Sequence, residues 1–230
     1  FRRVLFRSIS IISHDIITPL KFLTVAGRKL LENKKEMPEE LQQETIEEIT
    51  ETSRELQLLS TNIMNWIKYV NENIRMAKEN FRPYEVANNN LRILGSIASK
   101  KGILIHIEID PTISILQYEE PIRIIMYNLL VNAINFSDTG VIALTGIIVD
   151  KEFIFSIKDE GIGMTAEQIN NILSDEFVIS SANLNKRKGN GLGYLIIKDL
   201  LKMTQGIITI KSVARKGTTV TIRFPANDKG

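Results

Sequence analysis

Apolar residues in the first third of the chain recur at spacings of three and four: Leu5, Ile9, Ile12, Ile16, Leu20, Leu23, Leu30 and Leu31. That period draws a single stripe along a helix, predicted from Val4 to about Asn33. The polar stretch Asn33-Lys34-Lys35-Glu36-Met37-Pro38 ends it. Pro38 suits the first turn of a second helix, and Glu39, Glu40 and Glu44 complement the positive end of its dipole. Its stripe runs through Leu41, Ile46, Ile49, Leu56, Leu59, Ile63, Trp66, Ile67, Val70 and Ile74. Two helices have too little cross-section to cover both stripes, so pairing with a second copy as a four-helix bundle is expected, giving a homodimer.

Between Asn73 and Pro83 the helical period fails and a different pattern begins. Val86 to Lys101 reads as a helix, and Ile103 to Ile109 alternates as a strand that stops at Asp110-Pro111. Pro121 to Phe136 is again helical. Val141 to Val149 and Phe153 to Lys158 read as an antiparallel pair. Helices follow at Thr165 to Leu173 and Leu192 to Thr204, and a last hairpin joins Ile207 to Val213 with Thr218 to Phe224. This order predicts an α+β fold, one sheet with helices packed on a single face as an α/β sandwich. Residues 1–76 are expected to form the helical hairpin and residues 77–230 the second domain. The stretch from Ser174 to Lys188 has little periodicity and many Ser and Asn residues, which marks a candidate mobile loop.

Composition narrows the function classes. The 230 residues are 43% hydrophobic, enough for one good core or two modest ones. Net charge is only +2, so no broad basic field points to nucleic acid as a partner. With no cysteine, disulfide frameworks and thiolate metal sites are excluded. No apolar run reaches the roughly 20 residues of a membrane helix. Phe1-Arg2-Arg3-Val4-Leu5-Phe6-Arg7 starts without Met and resembles no signal peptide, so the chain is expected to be a piece of a longer protein.

Three short stretches carry the chemistry: Ser13 to Leu20, Asp159 to Met164 and Gly189 to Gly193. On a helix Thr18 lies one turn beyond His14, so both can address one bound group, with Asp15 beside them. A neutral imidazole nitrogen accepts a phosphoryl group, and a nearby carboxylate can take the ring proton and hold the reactive tautomer. The Thr18 hydroxyl could align a water for the reverse, hydrolytic step. Pro19 should bend the helix just past this cluster. An isolated histidine would be read as a surface residue, and His106, in strand alternation with no such neighbours, is read so.

Asn128 and Asn132 also lie at i and i+4, on one face of their helix, and an amide oxygen is a hard ligand suited to Mg²⁺. Asp159 precedes Gly161 and Gly163, an acceptor before a turn that can close on a flat ring such as adenine. Gly189, Gly191 and Gly193 open the helix from Leu192, and bare amides there favour phosphate. Taken singly, each is weak, since glycines often only build turns and paired asparagines often only face water. Their co-occurrence in this order is what raises the nucleotide reading above these alternatives.

Together these residues resemble the catalytic core of the sensor histidine kinases of two-component signalling, a helical phosphotransfer hairpin followed by a GHKL-type ATP-binding domain. The resemblance covers nearly the whole chain. His14-Asp15 through Pro19-Leu20 is similar to that family's phospho-acceptor box, Asn128 to Ser137 to its asparagine box, and Asp159 to Met164 and Gly189 to Gly193 to its two glycine boxes. Gly217-Thr218-Thr219 is similar to its final Gly-Thr turn.

The resemblance implies that His14 accepts the γ-phosphoryl group of ATP, that Asp15 is the general base, and that Thr18 supports phosphatase activity on a partner. It implies that Asn132 binds Mg²⁺ and that Asp159 recognises adenine. Asn128, Gly161, Gly163, Lys188, Gly189, Gly191, Gly193 and Thr218 would complete the nucleotide site. The partner would be the receiver domain of a response regulator, and the chain the cytoplasmic portion of a membrane-anchored sensor whose anchor lies upstream.

Two departures stand out. Asn135 occupies a position that is often basic in the family, so cations for the phosphates are sought at Lys186, Arg187 and Lys188. The phenylalanine box is reduced to Phe177. Two other readings are weighed against the kinase. A non-catalytic dimeric scaffold with a degenerate nucleotide site draws only on those departures. A gyrase-type ATPase would lack the histidine hairpin and would place a Glu in the asparagine helix, which is not found near Asn128.

Overall fold

A computed structural model describes residues 2–33, 36–71, 77–174 and 192–226. The chain divides into two compact units, Phe1–Ile74 and Arg75–Gly230. The first is a pair of long helices, α1 (Arg2–Glu32) and α2 (Glu39–Asn71), packed against each other. Helix α1 runs through Pro19 without a break. The turn between the helices is closed by the Asn33 carbonyl, which accepts from the amides of Glu36 and Met37. Ala26, Met37 and Thr52 are buried, yet Ile17, Leu20, Val25, Leu31, Leu41 and Ile46 stay exposed, Leu31 at 81%. The apolar stripes are therefore only partly covered within one chain.

The second unit is built on a five-stranded sheet in the order β2-β4-β5-β7-β6. Its strands are β2 (Ile103–Ile109), β4 (Gly140–Val149), β5 (Glu152–Asp159), β6 (Ile207–Ser212) and β7 (Thr218–Pro225). β4, β5, β7 and β6 pair antiparallel, whereas β2 lies parallel to β4. A parallel pair needs a long crossover, here supplied by helix α4 (Glu119–Phe136). The α+β architecture expected from the alternation is what the chain adopts. One element lies outside that expectation: β1 (Glu79–Phe81) and β3 (Ile115–Gln117) form a small second sheet of three-residue strands, too short for alternation to show.

One face of the large sheet holds the core. Ile142 and Leu144 of β4, Phe153, Phe155 and Ile157 of β5, and Val220, Ile222 and Phe224 of β7 are all buried on it. Phe153 stands opposite Phe224 in register, their ring centroids 5.7 Å apart, and Phe155 lies 6.2 Å from each. Buried faces of α3 (Pro83–Lys100), α4 and α6 (Leu192–Thr204) supply the other side, with Leu94, Ile122, Ile125, Leu130, Ile197 and Leu200 among their core residues. A short helix, α5 (Ala166–Leu173), starts on a capping box in which Thr165 and Gln168 satisfy each other's amides.

Buried polar side chains tie these layers together. Gln117, fully buried, donates to the carbonyls of Thr204 and Pro225 and accepts from the Tyr118 amide, which joins β3 to the ends of α6 and β7. Lys101, just past α3, donates its ammonium to the carbonyls of Ile134 at 2.8 Å, Ser137 at 3.4 Å and Asn135 at 3.5 Å. These are orphan carbonyls at the C-terminus of α4, where a cation also meets the negative end of the dipole. Lys101→Met keeps the aliphatic stem and removes only this cap, so urea denaturation should show a loss of about 1 kcal/mol.

Candidate functional site

Four candidate residues of the second unit, Asp159, Gly161, Gly163 and Thr218, gather where β5 ends and β7 begins. Asp159 closes β5 and stands opposite Thr218, the first residue of β7. Alternation turns both into the face that elsewhere buries isoleucine and phenylalanine, and each is only 8% exposed. The Asp159 Oδ1 accepts from the Gly161 amide at 2.9 Å and from the Thr218 amide at 3.1 Å. Among the described residues no hydrogen bond falls on Oδ2. Burial pushes the Asp159 carboxyl above the ordinary carboxylate range, more than the two amide bonds hold it down.

Three glycines allow this packing. A Cβ on Gly161 would lie 2.2 Å from the Phe136 carbonyl oxygen, which accepts instead from the Ile162 amide. At Gly163, where φ is +64°, a Cβ would meet the Val213 oxygen at 2.1 Å. Gly217, with φ +90°, would meet the Asp159 oxygen at 2.0 Å. No other residue type fits these positions without moving backbone. Glu160 adds a tie between elements, its Oε2 accepting from the Val141 amide at the start of β4.

On the other side of the site, α4 packs against α6. Asn128 is buried and donates to the Ile124 carbonyl one turn back, while Asn132 is half-buried. A Cβ built on Gly193 would sit 3.3 Å from Asn128 Oδ1 and 3.7 Å from Asn132 Nδ2. The asparagine pair and the last glycine of the second box, 61 positions after Asn132, thus lie against one another. Asn135, one turn on, is exposed. Among the described residues no cluster of His, Asp or Glu could hold a metal by itself.

Two residues here carried no signal in the sequence. Tyr194, next to Gly193, has its phenol pushed up by burial and by the negative charge of Asp159, so it stays protonated. Ser212, the last residue of β6, has a hydroxyl bonded to the Met164 amide, the Gly217 carbonyl and the Thr218 hydroxyl. In sequence Ser212 is one more polar position in an alternating strand.

The remaining candidates are placed less fully. His14, Asp15 and Thr18 lie within α1, His14 and Thr18 one turn apart, and their side chains are outside the described part of the structure. Lys186, Arg187, Lys188, Gly189, Gly191 and Phe177 also lie outside the described residues.

Residues 117–228 match the family described as histidine kinase-, DNA gyrase B-, and HSP90-like ATPase. Sensor histidine kinase RcsC of Escherichia coli K12 is 26% identical over 217 residues, covering 93% of this chain and 22% of RcsC. Sensor histidine kinase YclK of Bacillus subtilis is 31% identical over 223 residues, covering 95% of this chain and 46% of YclK. Over nearly its whole length the chain is similar to sensor histidine kinases, and residues 117–228 carry the match to the ATPase family.

Histidine kinases of known structure share its fold. The Acinetobacter baumannii histidine kinase AdeS gives a TM-score of 0.69 at 18% identity, covering 94% of this chain and 98% of that one. Histidine kinase ThkA, solved in complex with the response regulator protein TrrA, gives 0.68 at 19% identity, covering 98% and 63%. The chain spans less than half the length of the curated relatives RcsC and YclK. No helix among the described residues is long and apolar enough to cross a membrane.

At this site Asp159→Asn separates stability from binding. The folded chain holds the Asp159 proton to higher pH than the unfolded chain, so the carboxyl's contribution is full below its ordinary value of 3.8 and is lost as pH rises. An asparagine can still accept both amides on its oxygen but places a donor where Oδ2 was. The variant should melt no lower than the parent at pH 7, with ATP affinity down about ten- to a hundredfold by calorimetry.

Proposed function

We propose that this chain is the catalytic core of an ATP-dependent protein-histidine kinase that phosphorylates itself on His14 and passes the phosphoryl group to an aspartate of a response regulator. The reading rests above all on Asp159, a buried carboxylate whose two backbone bonds share one oxygen and whose other oxygen has no partner among the described residues. An acceptor held in that way suits the exocyclic amine of adenine. The glycines at 161, 163 and 217 bring backbone close around it, and the asparagine pair against Gly193 lies at the start of α6, where free helix amides favour phosphate.

The residues fit ATP and Mg²⁺ in a definite division of work. When bound, ATP would supply the γ-phosphoryl group and leave as ADP, and Mg²⁺ would offset charge on the phosphates. Asn132 would give the metal its protein oxygen, in keeping with the habit of Mg²⁺ of retaining waters and phosphate oxygens rather than an all-protein cage. Asn128, Gly161, Gly163, Gly193 and Thr218 would line the nucleotide, with Lys188, Gly189 and Gly191 completing the phosphate side. His14 accepts at an imidazole nitrogen, Asp15 takes the ring proton and holds the tautomer, and Thr18 orients a water when the regulator's phosphoryl group is hydrolysed.

Residues 1–76 would serve as the dimerisation and phosphotransfer hairpin, and residues 77–230 as the ATP-binding domain. The exposed Ile17, Leu20, Val25, Leu31, Leu41 and Ile46 support a four-helix bundle with a second copy, since that pairing removes them from water. The response regulator found with ThkA supports the same class of partner here. The chain would be the cytoplasmic portion of a membrane-anchored sensor.

Incubation with γ-labelled ATP and Mg²⁺ should yield acid-labile, base-stable phosphate on the chain. His14→Gln should abolish incorporation and leave the calorimetric ATP affinity within about twofold, because acceptor and nucleotide belong to different units. Label that persists in this variant would place the acceptor elsewhere. Thr18→Ala should retain autophosphorylation and lose hydrolysis of phosphorylated regulator; equal loss of both would make Thr18 a structural residue.

A further inference from the structure

Asp159, Thr218 and Ser212 form one row across three strands. Asp159 pairs with Thr218 between β5 and β7, and Thr218 pairs with Ser212 between β7 and β6. Directly opposed residues share a face, so the three polar side chains stand side by side at the end of an otherwise apolar surface.

Proton counting fixes the hydroxyls in this row. A serine hydroxyl has one proton and two lone pairs. Ser212 Oγ lies 2.8 Å from the Gly217 carbonyl oxygen, which can only accept, so the serine proton goes there. The Met164 amide, 2.8 Å away, can only donate, and takes one lone pair. The remaining contact, 2.9 Å to Thr218 Oγ1, must then have Thr218 as donor. Thr218 has no proton left for anything else, and the described residues offer its oxygen no other partner. Beside the Asp159 carboxylate it stands as a second pure acceptor.

We infer that Ser212 is a positioning residue for base recognition: by taking the Thr218 proton it makes the wall of Asp159 and Thr218 accept hydrogen bonds only, which selects a base presenting an amine, directly or through a water, over one presenting a carbonyl. Ser212 need not touch the base. Without it the Thr218 hydroxyl turns freely and can donate to a 6-oxo purine. The inference rests on the nucleotide reading above and adds to it the residue that sets the polarity of the site.

The test compares ATP with inosine triphosphate, which carries oxygen in place of the amine, by competition against a fluorescent ATP analogue on the whole chain. A parent that fails to prefer ATP overturns the nucleotide reading itself. With that preference in hand, Ser212→Ala should cut the ratio of affinities about tenfold, the scale of one hydrogen bond of changed sign. Ser212→Thr, which restores a hydroxyl, should keep the parent ratio.

Thr218→Val leaves Ser212 its bonds to Gly217 and Met164, and should lower the ratio as far as Ser212→Ala does. The double variant should fall no further than Thr218→Val alone. A merely structural Ser212 would weaken both nucleotides equally and leave the ratio at the parent value, which overturns the inference, as would an unchanged ratio in Thr218→Val or an additive loss in the double variant.

Discussion

The second unit is arranged around the difficulty of keeping the Asp159 carboxylate inside a protein. A buried charge is costly unless hydrogen bonds replace its water, and here two backbone amides, those of Gly161 and Thr218, converge on a single oxygen. That convergence leaves the other oxygen with no hydrogen bond among the described residues and does not fully offset burial, since the carboxyl is still raised above its ordinary value. To bring both amides in, the β6–β7 turn must pass against the backbone of Asp159 itself, and Gly217 does so at a distance no Cβ permits. The glycines therefore answer first to the carboxylate.

Such a polar end needs a rigid support. β5 and β7 continue from Asp159 and Thr218 directly into Ile157, Phe155 and Phe153 and into Val220, Ile222 and Phe224, where removing one phenylalanine side chain would cost on the order of 3 to 5 kcal/mol. The same register that stacks these rings fixes the polar row at the strand ends. Helix α4 carries the site's other wall, its apolar side in the core and Asn128 and Asn132 toward α6. Lys101 closes that helix, so the asparagines sit on an element secured at its C-terminal end.

Much of this was legible in the sequence, for a local reason. The long helices, the alternating strands and the hairpins rest on periods of 3.6 and 2 that neighbouring residues express by themselves. Asp159, the asparagine pair and the glycines were legible as candidates because signals that are weak singly occur together in one order along the chain. The hidden features depend on distant parts of the chain. The parallel alignment of β2 with β4 is decided by a crossover, β1 and β3 are too short for a period, and Lys101 reads as one of many surface lysines until α4 ends beside it. Ser212 is the clearest instance. Gly217 and Thr218 lie only five and six residues on, but the Met164 amide that fixes the hydroxyl's orientation lies 48 residues back, outside any local window.

The two units bury their apolar surface in different ways, and this bears on how their chemistry can be divided. Residues 75–230 complete a core from their own strands and helices, so the polar row and its glycine turns exist in a single chain. The α1–α2 pair cannot do the same: Val25 is 65% and Leu31 81% exposed in the chain alone, far more than a fully buried stripe would allow. A self-contained unit can keep a preorganised binding wall whatever its neighbours do, because the cost of holding Asp159 inside is met locally. A helical pair with uncovered apolar faces has its conformation set partly by what covers them. The sheet, by contrast, has a register that allows no intermediate position for its polar row.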